Sequence, residues 1–217
     1  MAPRKKDTEP LTRERIVEAA MRVIDADGVD ALSMRRLGTE LGVNPMAAYH
    51  YVPNKSALYE LVLDAVMSGV DMSAIDPAAP IEERLKQAAR AYRSAILAHP
   101  RAIPVAAGRS VRTIVSLRPI EVFVGLLLEA GLDTCDAIAA VDCVAQFVLG
   151  GALGYYHHLF DNELHDDSRD FDQLPAEEFP NMTRVLGEAH FIGFDGEFEF
   201  GLDVIVRGLL SGPCRNE

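Results

Sequence analysis

Reactive chemistry is scarce in this chain. It has three cysteines, Cys135, Cys143 and Cys214, and no tryptophan. The cysteine spacing fits no zinc pattern, and the odd count argues against a disulfide framework, so buried free thiols are the expectation. There is no Gly-x-Ser-x-Gly elbow, no phosphate-cradling glycine loop and no His-Glu-x-x-His motif, so those hydrolase, nucleotide-binding and zinc-protease signatures are excluded. The one cluster that invites catalysis or metal binding is His157, His158, Asp161, His165, Asp166 and Asp167. His157 and Asp161 stand four apart on a helix end and would share a face. A solvated helix terminus, with histidines where the dipole favours positive charge, accounts for them more simply. No catalytic residue, metal ligand or cofactor is assigned. No apolar run is expected to approach the roughly 18 uncharged residues of a membrane span. The basic start, MAPRKKDTEP, is followed by no apolar segment, so it is not read as a signal peptide, and a cytoplasmic protein with no membrane partner is expected.

Basic charge is the other shortage. The net charge is −12, from 21 Lys and Arg against 33 Asp and Glu. It is unevenly spread. Residues 1–60 carry nine basic and nine acidic groups and are neutral, which leaves 12 basic and 24 acidic groups in the remaining 157 residues. An acidic body would turn away from a polyanion and present the neutral end to it. Arg4, Lys5 and Lys6 form a basic arm over residues 1–11, predicted to be disordered, that can add phosphate or minor-groove contacts or stay solvated.

What the chain does hold is a stretch dense in local signals, SMRRLGTELGVNPMAAYHYVPNK, from Ser33 to Lys55. Ser33 is a good N-cap for a helix whose Met34, Leu37 and Leu41 recur at helical spacing. Gly42 supplies the backbone freedom of a helix stop, and Val43 fills the corner beneath it. Asn44 caps a second helix, with Pro45 at its first position, where a missing N–H costs nothing. Pro53 keeps that helix short by disfavouring helical geometry at Val52. Two short helices with a glycine turn form a helix-turn-helix, whose second helix enters the DNA major groove. Met46 or Ala47 can touch a thymine methyl, and Tyr49, His50 and Tyr51 can reach phosphates. Three such residues in a row cannot all be buried on so short a helix.

The stretch LSMRRLGTELGVNPMAAYHYVPNKSALYEL resembles the DNA-binding domain of the TetR family of bacterial transcriptional regulators, and residues 12–65 match it in order, spacing and residue type. The resemblance implies that Ser33 and Arg35 open the first motif helix, with Arg35 reaching a base. It implies that Asn44, Pro45, Met46 and Ala47 read the groove, that Tyr49 and His50 grip phosphate, and that Lys55 meets phosphate from the next helix N-terminus.

Around this motif the pattern predicts an all-α chain in two parts. Residues 12–70 make a three-helix DNA-binding head whose motif is followed by a connecting helix. Residues 71–80 are a Pro-containing linker, and residues 81–217 are a larger ligand-binding and dimerisation domain. Thr12 caps a helix to about Ala26, and Asn54 caps the connecting helix, with Leu58, Leu61, Val62, Ala65 and Val66 on one face. A helix over 81–98 is followed by a segment chopped by Pro100 and Pro104. Next come a helix from about 117 or 118 to 130, the longest apolar helix from 133 or 134 to about 160, and a mobile acidic loop over 161–180. Met182 to Glu188 is a short helix, and Glu197 to Leu210 is the last. Gly150 and Gly154 sit mid-helix, where each costs about 1 kcal/mol relative to alanine, so either a partner helix or a ligand is expected beside them. The long and last helices are too apolar for one subunit to cover, which predicts a four-helix interface with a second copy.

The segments ILAHPRAIPVAAG, LLLEAGLDTCDAIAAVDCVAQFVLGGALG and EFEFGLDVIVRGL resemble the ligand domain of the tetracycline-repressor branch of the same family. The branch's ligand is a metal chelate, held partly by a histidine in the broken segment and an acid on the long helix. Ala106 and Gly154 align there, and neither can bind a metal. The resemblance therefore supports the architecture and argues against magnesium–tetracycline. Gly108, Gly150, Gly151 and Gly154 suggest room for a bulky effector, lined by Phe123, Phe147, Tyr155, Tyr156, Met182 and Phe194. Two functions follow: a homodimeric repressor that leaves a palindromic operator when a small effector binds, or a DNA-binding regulator switched by a protein partner. An internal cavity would favour the first.

Overall fold

The computed structural model describes residues 10–109, 113–160, 174–188 and 192–212. Among these the chain forms ten α-helices and no strand. The first four are α1 (Arg13–Asp27), α2 (Met34–Leu41), α3 (Pro45–Tyr49) and α4 (Lys55–Ser68). A single-turn helix at Met72–Ala74 leads to α5 (Ile81–Leu97), then another at Pro100–Ala102 leads to α6 (Ile103–Ala107). The rest are α7 (Ile114–Glu129), α8 (Thr134–Phe160), α9 (Pro180–Glu188) and α10 (Gly193–Leu210).

The caps expected from sequence are in place. Thr12, Ser33 and Asn54 side chains accept hydrogen bonds from the N–H groups of Arg15 (3.3 Å), Arg36 (3.1 Å) and Ala57 (2.9 Å). Each satisfies one of the unpaired donors at a helix start. Gly42 adopts the left-handed conformation (φ 67°) that ends α2.

Two buried clusters hold the fold. One joins α1–α4 through Ile16, Ile24, Leu37, Ala48, Val52 and Leu58, and it continues into Ile96, Ile103, Val105, Ala106 and Ala152 of α5, α6 and α8. The other packs Leu85, Phe123, Leu127, Val144, Val148, Phe198 and Leu202 from α5, α7, α8 and α10. Tyr92 touches both. Ion pairs line the α5–α10 seam: Lys86 with Asp203, Arg90 with Glu199, and Arg93 with Asp195, at 2.6–2.8 Å. Arg90 beside Glu199 holds that carboxyl below its ordinary value.

Several expectations are corrected. Helix α7 begins at Ile114, not 117, and carries Pro119 inside it. The Thr113 hydroxyl accepts from the Ser116 N–H (3.2 Å) and starts the helix about a turn earlier than expected. Helix α10 begins at Gly193, so Phe194 is helical rather than in an irregular stretch. Cys135 and Cys143 are exposed, not buried, because both sit on the outward side of α8. Cys214 lies outside the described residues. So does most of the acidic loop, with Asp161, His165, Asp166 and Asp167, and most of the basic arm.

The expected shortage of apolar runs also fails. Residues 143–160 hold no Asp, Glu, Lys or Arg. Helix α8 is long and apolar enough to cross a membrane by length and composition, with a window of mean hydropathy 1.7 that is 28% buried. Its charge is confined to Asp136 and Asp142 near the start, and alanine and glycine fill much of the remainder.

Candidate nucleic-acid interface and effector cavity

The helix-turn-helix is fixed by its buried side. On α3, Ala48 is buried, and Val52 just beyond it is buried as well. These two anchors turn the other residues outward. Met46 is 66% exposed, and Tyr49, His50 and Tyr51 are all exposed. Asn44 caps α3 by accepting from the Met46 N–H at 2.9 Å, and Pro45 and Ala47 are half-buried beside it. So Asn44, Met46, Tyr49 and His50 share one outward surface.

Around that surface most cations are already paired. Arg22 binds Glu40 at 3.1 Å, and Arg36 binds Asp27 at 2.9 Å. Arg35, next to the cap Ser33, is exposed and makes no ion pair among the described residues, which leaves its guanidinium available to an acceptor. Lys55 is the exposed first residue of α4, and its ammonium lies 5.3 Å from the Tyr59 ring centre. A cation at that end of a helix, flanked by free N–H groups, suits an anion.

Helix α4 also faces the other way. Leu63 and Met67 help line a cavity of about 430 Å³. Its remaining walls are Met72, then Ala88, Ala89 and Tyr92 of α5, Ala106 of α6, and Leu117, Pro119, Ile120 and Phe123 of α7. Helix α8 closes it with Ile138, Val141, Val144, Ala145 and Leu149. Among the described residues, only Arg109 and Asp142 bring formal charge to this lining. Burial pushes the Tyr92 hydroxyl up to about 12, so it stays protonated and able to donate. An apolar chamber with a few polar groups of this kind suits a small organic ligand.

Two ties run from the cavity wall to α4. Arg109 donates to the Ser56 hydroxyl (3.0 Å), and its guanidinium lies 4.8 Å from the Tyr59 ring centre. Asp64 accepts from both the Thr113 and the Ser116 hydroxyls at the start of α7, and Ser116 is fully buried.

Of the effector-lining residues expected from sequence, Phe123 faces this cavity. Phe147 instead stacks on Phe198 at 5.4 Å in the second core. Tyr155 meets Phe194 edge-on at 5.6 Å, and Tyr156 lies 5.1 Å from Phe160, in an aromatic group at the end of α8. Met182 is exposed on α9. Gly150, Gly151 and Gly154 are exposed, with open space where a side chain would begin. Most of the cavity wall was missed by the sequence reading. Its one available signal was α4, where Leu63 and Met67 fall off the stripe and make the helix apolar on two sides, as a helix packed on both must be.

Comparison with known proteins agrees with this division of labour. Residues 16–62 match the description "Bacterial regulatory proteins, tetR family", and residues 76–211 match "Tetracyclin repressor-like, C-terminal domain". The HTH-type transcriptional repressor DrrR1 of Streptomyces coeruleorubidus is 29% identical over 214 residues, covering 92% of this chain and 77% of that protein. The class A tetracycline repressor from transposon 1721 of Escherichia coli is 28% identical, covering 89% of this chain and 88% of that protein. The structure of the Streptomyces coelicolor TetR family protein ActR in complex with actinorhodin superposes with a TM-score of 0.85 at 32% identity, over 95% of this chain and 100% of that one. With both parts matched in order and almost end to end, the chain belongs to the TetR family of bacterial regulatory proteins and is a DNA-binding transcriptional regulator rather than an enzyme.

Proposed function

We propose that the chain is a homodimeric repressor that holds a palindromic operator and leaves it when a bulky, largely apolar effector fills the cavity between α4, α5, α7 and α8. The observation that carries this reading is the double duty of α4. Its first residue, Lys55, is exposed at the helix start, where the resemblance implies a phosphate contact, while Leu63 and Met67, two and three turns on, wall the cavity. An occupant that pushes on those side chains moves the helix that carries the head. Two heads must meet major grooves about 34–36 Å apart, so a small swing of α4 suffices for release. The alternative of a switch by a protein partner needs no such chamber.

Association of two copies has its own support. Helices α8 and α10 pack on each other, and each leaves an apolar stripe outside. On α8 it is Ala139, Cys143, Gly150 and Gly154, and on α10 it is Phe200 (69% exposed), Val204 (54%) and Gly208. Small residues on one helix against large ones on another suit four-helix packing. ActR, a relative whose structure holds actinorhodin, is consistent with control by a small molecule.

The test is selection of bound fragments from the source genome by the purified protein at about 150 mM salt, since unspecific binding fades as salt rises. Recovery of an inverted repeat, bound at two chains per site, is the expected result. Protein refolded free of ligand that enriches no fragment would refute the reading.

A further inference from the structure

Arg109 stands where the cavity meets the head. It is half-buried, it follows α6, and among the described residues it is the single cation of the lining. Among the described residues it has no carboxylate partner, and its partners on α4 are a hydroxyl and a ring face. A guanidinium has five N–H donors in a planar fork, and one bond to Ser56 leaves most of the fork unspent. A cation beside apolar walls gains most from an anion that shares its desolvated surroundings.

Resting on the effector-cavity reading above, we propose that the effector carries an anionic group, a carboxylate or ionised phenol, and that Arg109 binds it by leaving Ser56 and Tyr59. Arg109 is then both the counter-ion of the ligand and a latch on the head. The same Tyr59 ring receives Lys55, one turn from the DNA-facing surface, so removing Arg109 from the ring alters the setting of Lys55 directly. The other ionised group of the lining, Asp142 on α8, disfavours the reverse orientation by repelling the anion. Tyr92, protonated and part of the cavity wall, is a donor for a carbonyl or hydroxyl along the ligand frame. A neutral molecule of the same shape fills the chamber yet leaves the latch closed.

Two fluorescent probes with one aromatic frame separate these ideas: anilinonaphthalene sulfonate, which is anionic, and phenylnaphthylamine, which is neutral. Only fluorescence lost in Ala145→Trp, which fills the chamber from α8, is counted. Arg109→Leu is expected to weaken the sulfonate about tenfold or more, the scale of a charge-assisted hydrogen bond, and to leave the neutral probe unchanged. The sulfonate is expected to speed amide exchange at Leu58 to Glu60 in the unmodified chain but not in Arg109→Leu. Ser56→Ala with Tyr59→Leu, which opens the latch without touching the cavity, is expected to speed that exchange with no probe present and to raise sulfonate affinity, because Arg109 no longer leaves partners to bind it. Equal effects of Arg109→Leu on both probes, or no effect on either, would overturn the proposal while leaving the cavity reading intact. No chamber-dependent signal from either probe would overturn both.

Discussion

Replacing Asp64 by alanine tests how α4 is fastened to the body. One carboxylate oxygen accepts from both Thr113 and Ser116, and hydrogen bonds to a charged group are worth about 1.5–3 kcal/mol each. The gross loss is therefore about 3–6 kcal/mol, reduced because Asp64 is only half-buried and water can replace part of its role. Ser116 is fully buried, so Asp64→Ala also leaves its hydroxyl with only the Thr113 hydroxyl (3.1 Å) as a partner, at the low end of the about 1–3 kcal/mol for a buried unpaired group. A net destabilisation of about 2–4 kcal/mol is expected, against about 1 kcal/mol for Ser116→Ala. The double variant removes the under-partnered hydroxyl along with the carboxylate. It is expected to be less destabilised than the sum of the singles by at least about 1 kcal/mol. The assay is urea unfolding of all four proteins at one fixed concentration, because the midpoint of an associating chain depends on concentration. Additivity to within about 0.5 kcal/mol would refute the shared network.

Three further outcomes follow. Tyr49→Ala and Lys55→Ala are each expected to weaken binding to every DNA sequence and lower its salt slope, whereas Arg35→Ala relaxes sequence preference; competition titrations at several salt concentrations distinguish the two behaviours. Gly201→Ala places a methyl 2.6 Å from two ring atoms of Phe147, so the ring must leave Phe198 or the α8–α10 pair must part, at about 1–3 kcal/mol; an unchanged melting temperature would show that the contact yields freely. Glu199 is held below its unfolded value near 4.5 by Arg90, so its contribution is present above that pH and is lost as pH falls through the lower, folded value; Glu199→Gln is expected to flatten the fall in stability below about pH 4.5, read from thermal melts between neutral and acid pH.

The head was legible because its signals are local. Ser33, Gly42, Asn44, Pro45 and Pro53 act within a few residues of where they stand, and each does in the structure what its backbone chemistry dictates. The cavity was not legible in the same way. Its walls run from Leu63 to Leu149 and come from five helices, so only packing brings them together. Aromatic residues drew the sequence reading toward Phe147, Tyr155 and Phe194, which bind one another or the core instead. The start of α7 was expected too late, because the Asp64–Ser116 tie that steadies its first turn joins residues 52 apart. Arg109 gave no signal at all, since its meaning comes from Ser56 and Tyr59 on another helix.

The buried cluster that steadies the reading head is not the head's own property. Ile96, Ile103, Val105, Ala106 and Ala152 complete it from beyond residue 75. A fragment cut at the linker would lose the part of the wall that α5, α6 and α8 supply against α1 and α4. The unit that can be exchanged between regulators is therefore larger than the matched segment 16–62. A head grafted onto another body needs α4 together with an α6 surface shaped to receive it, and engineering of new operator preference on this scaffold is simplest at Arg35 and Met46, which touch none of that shared interior.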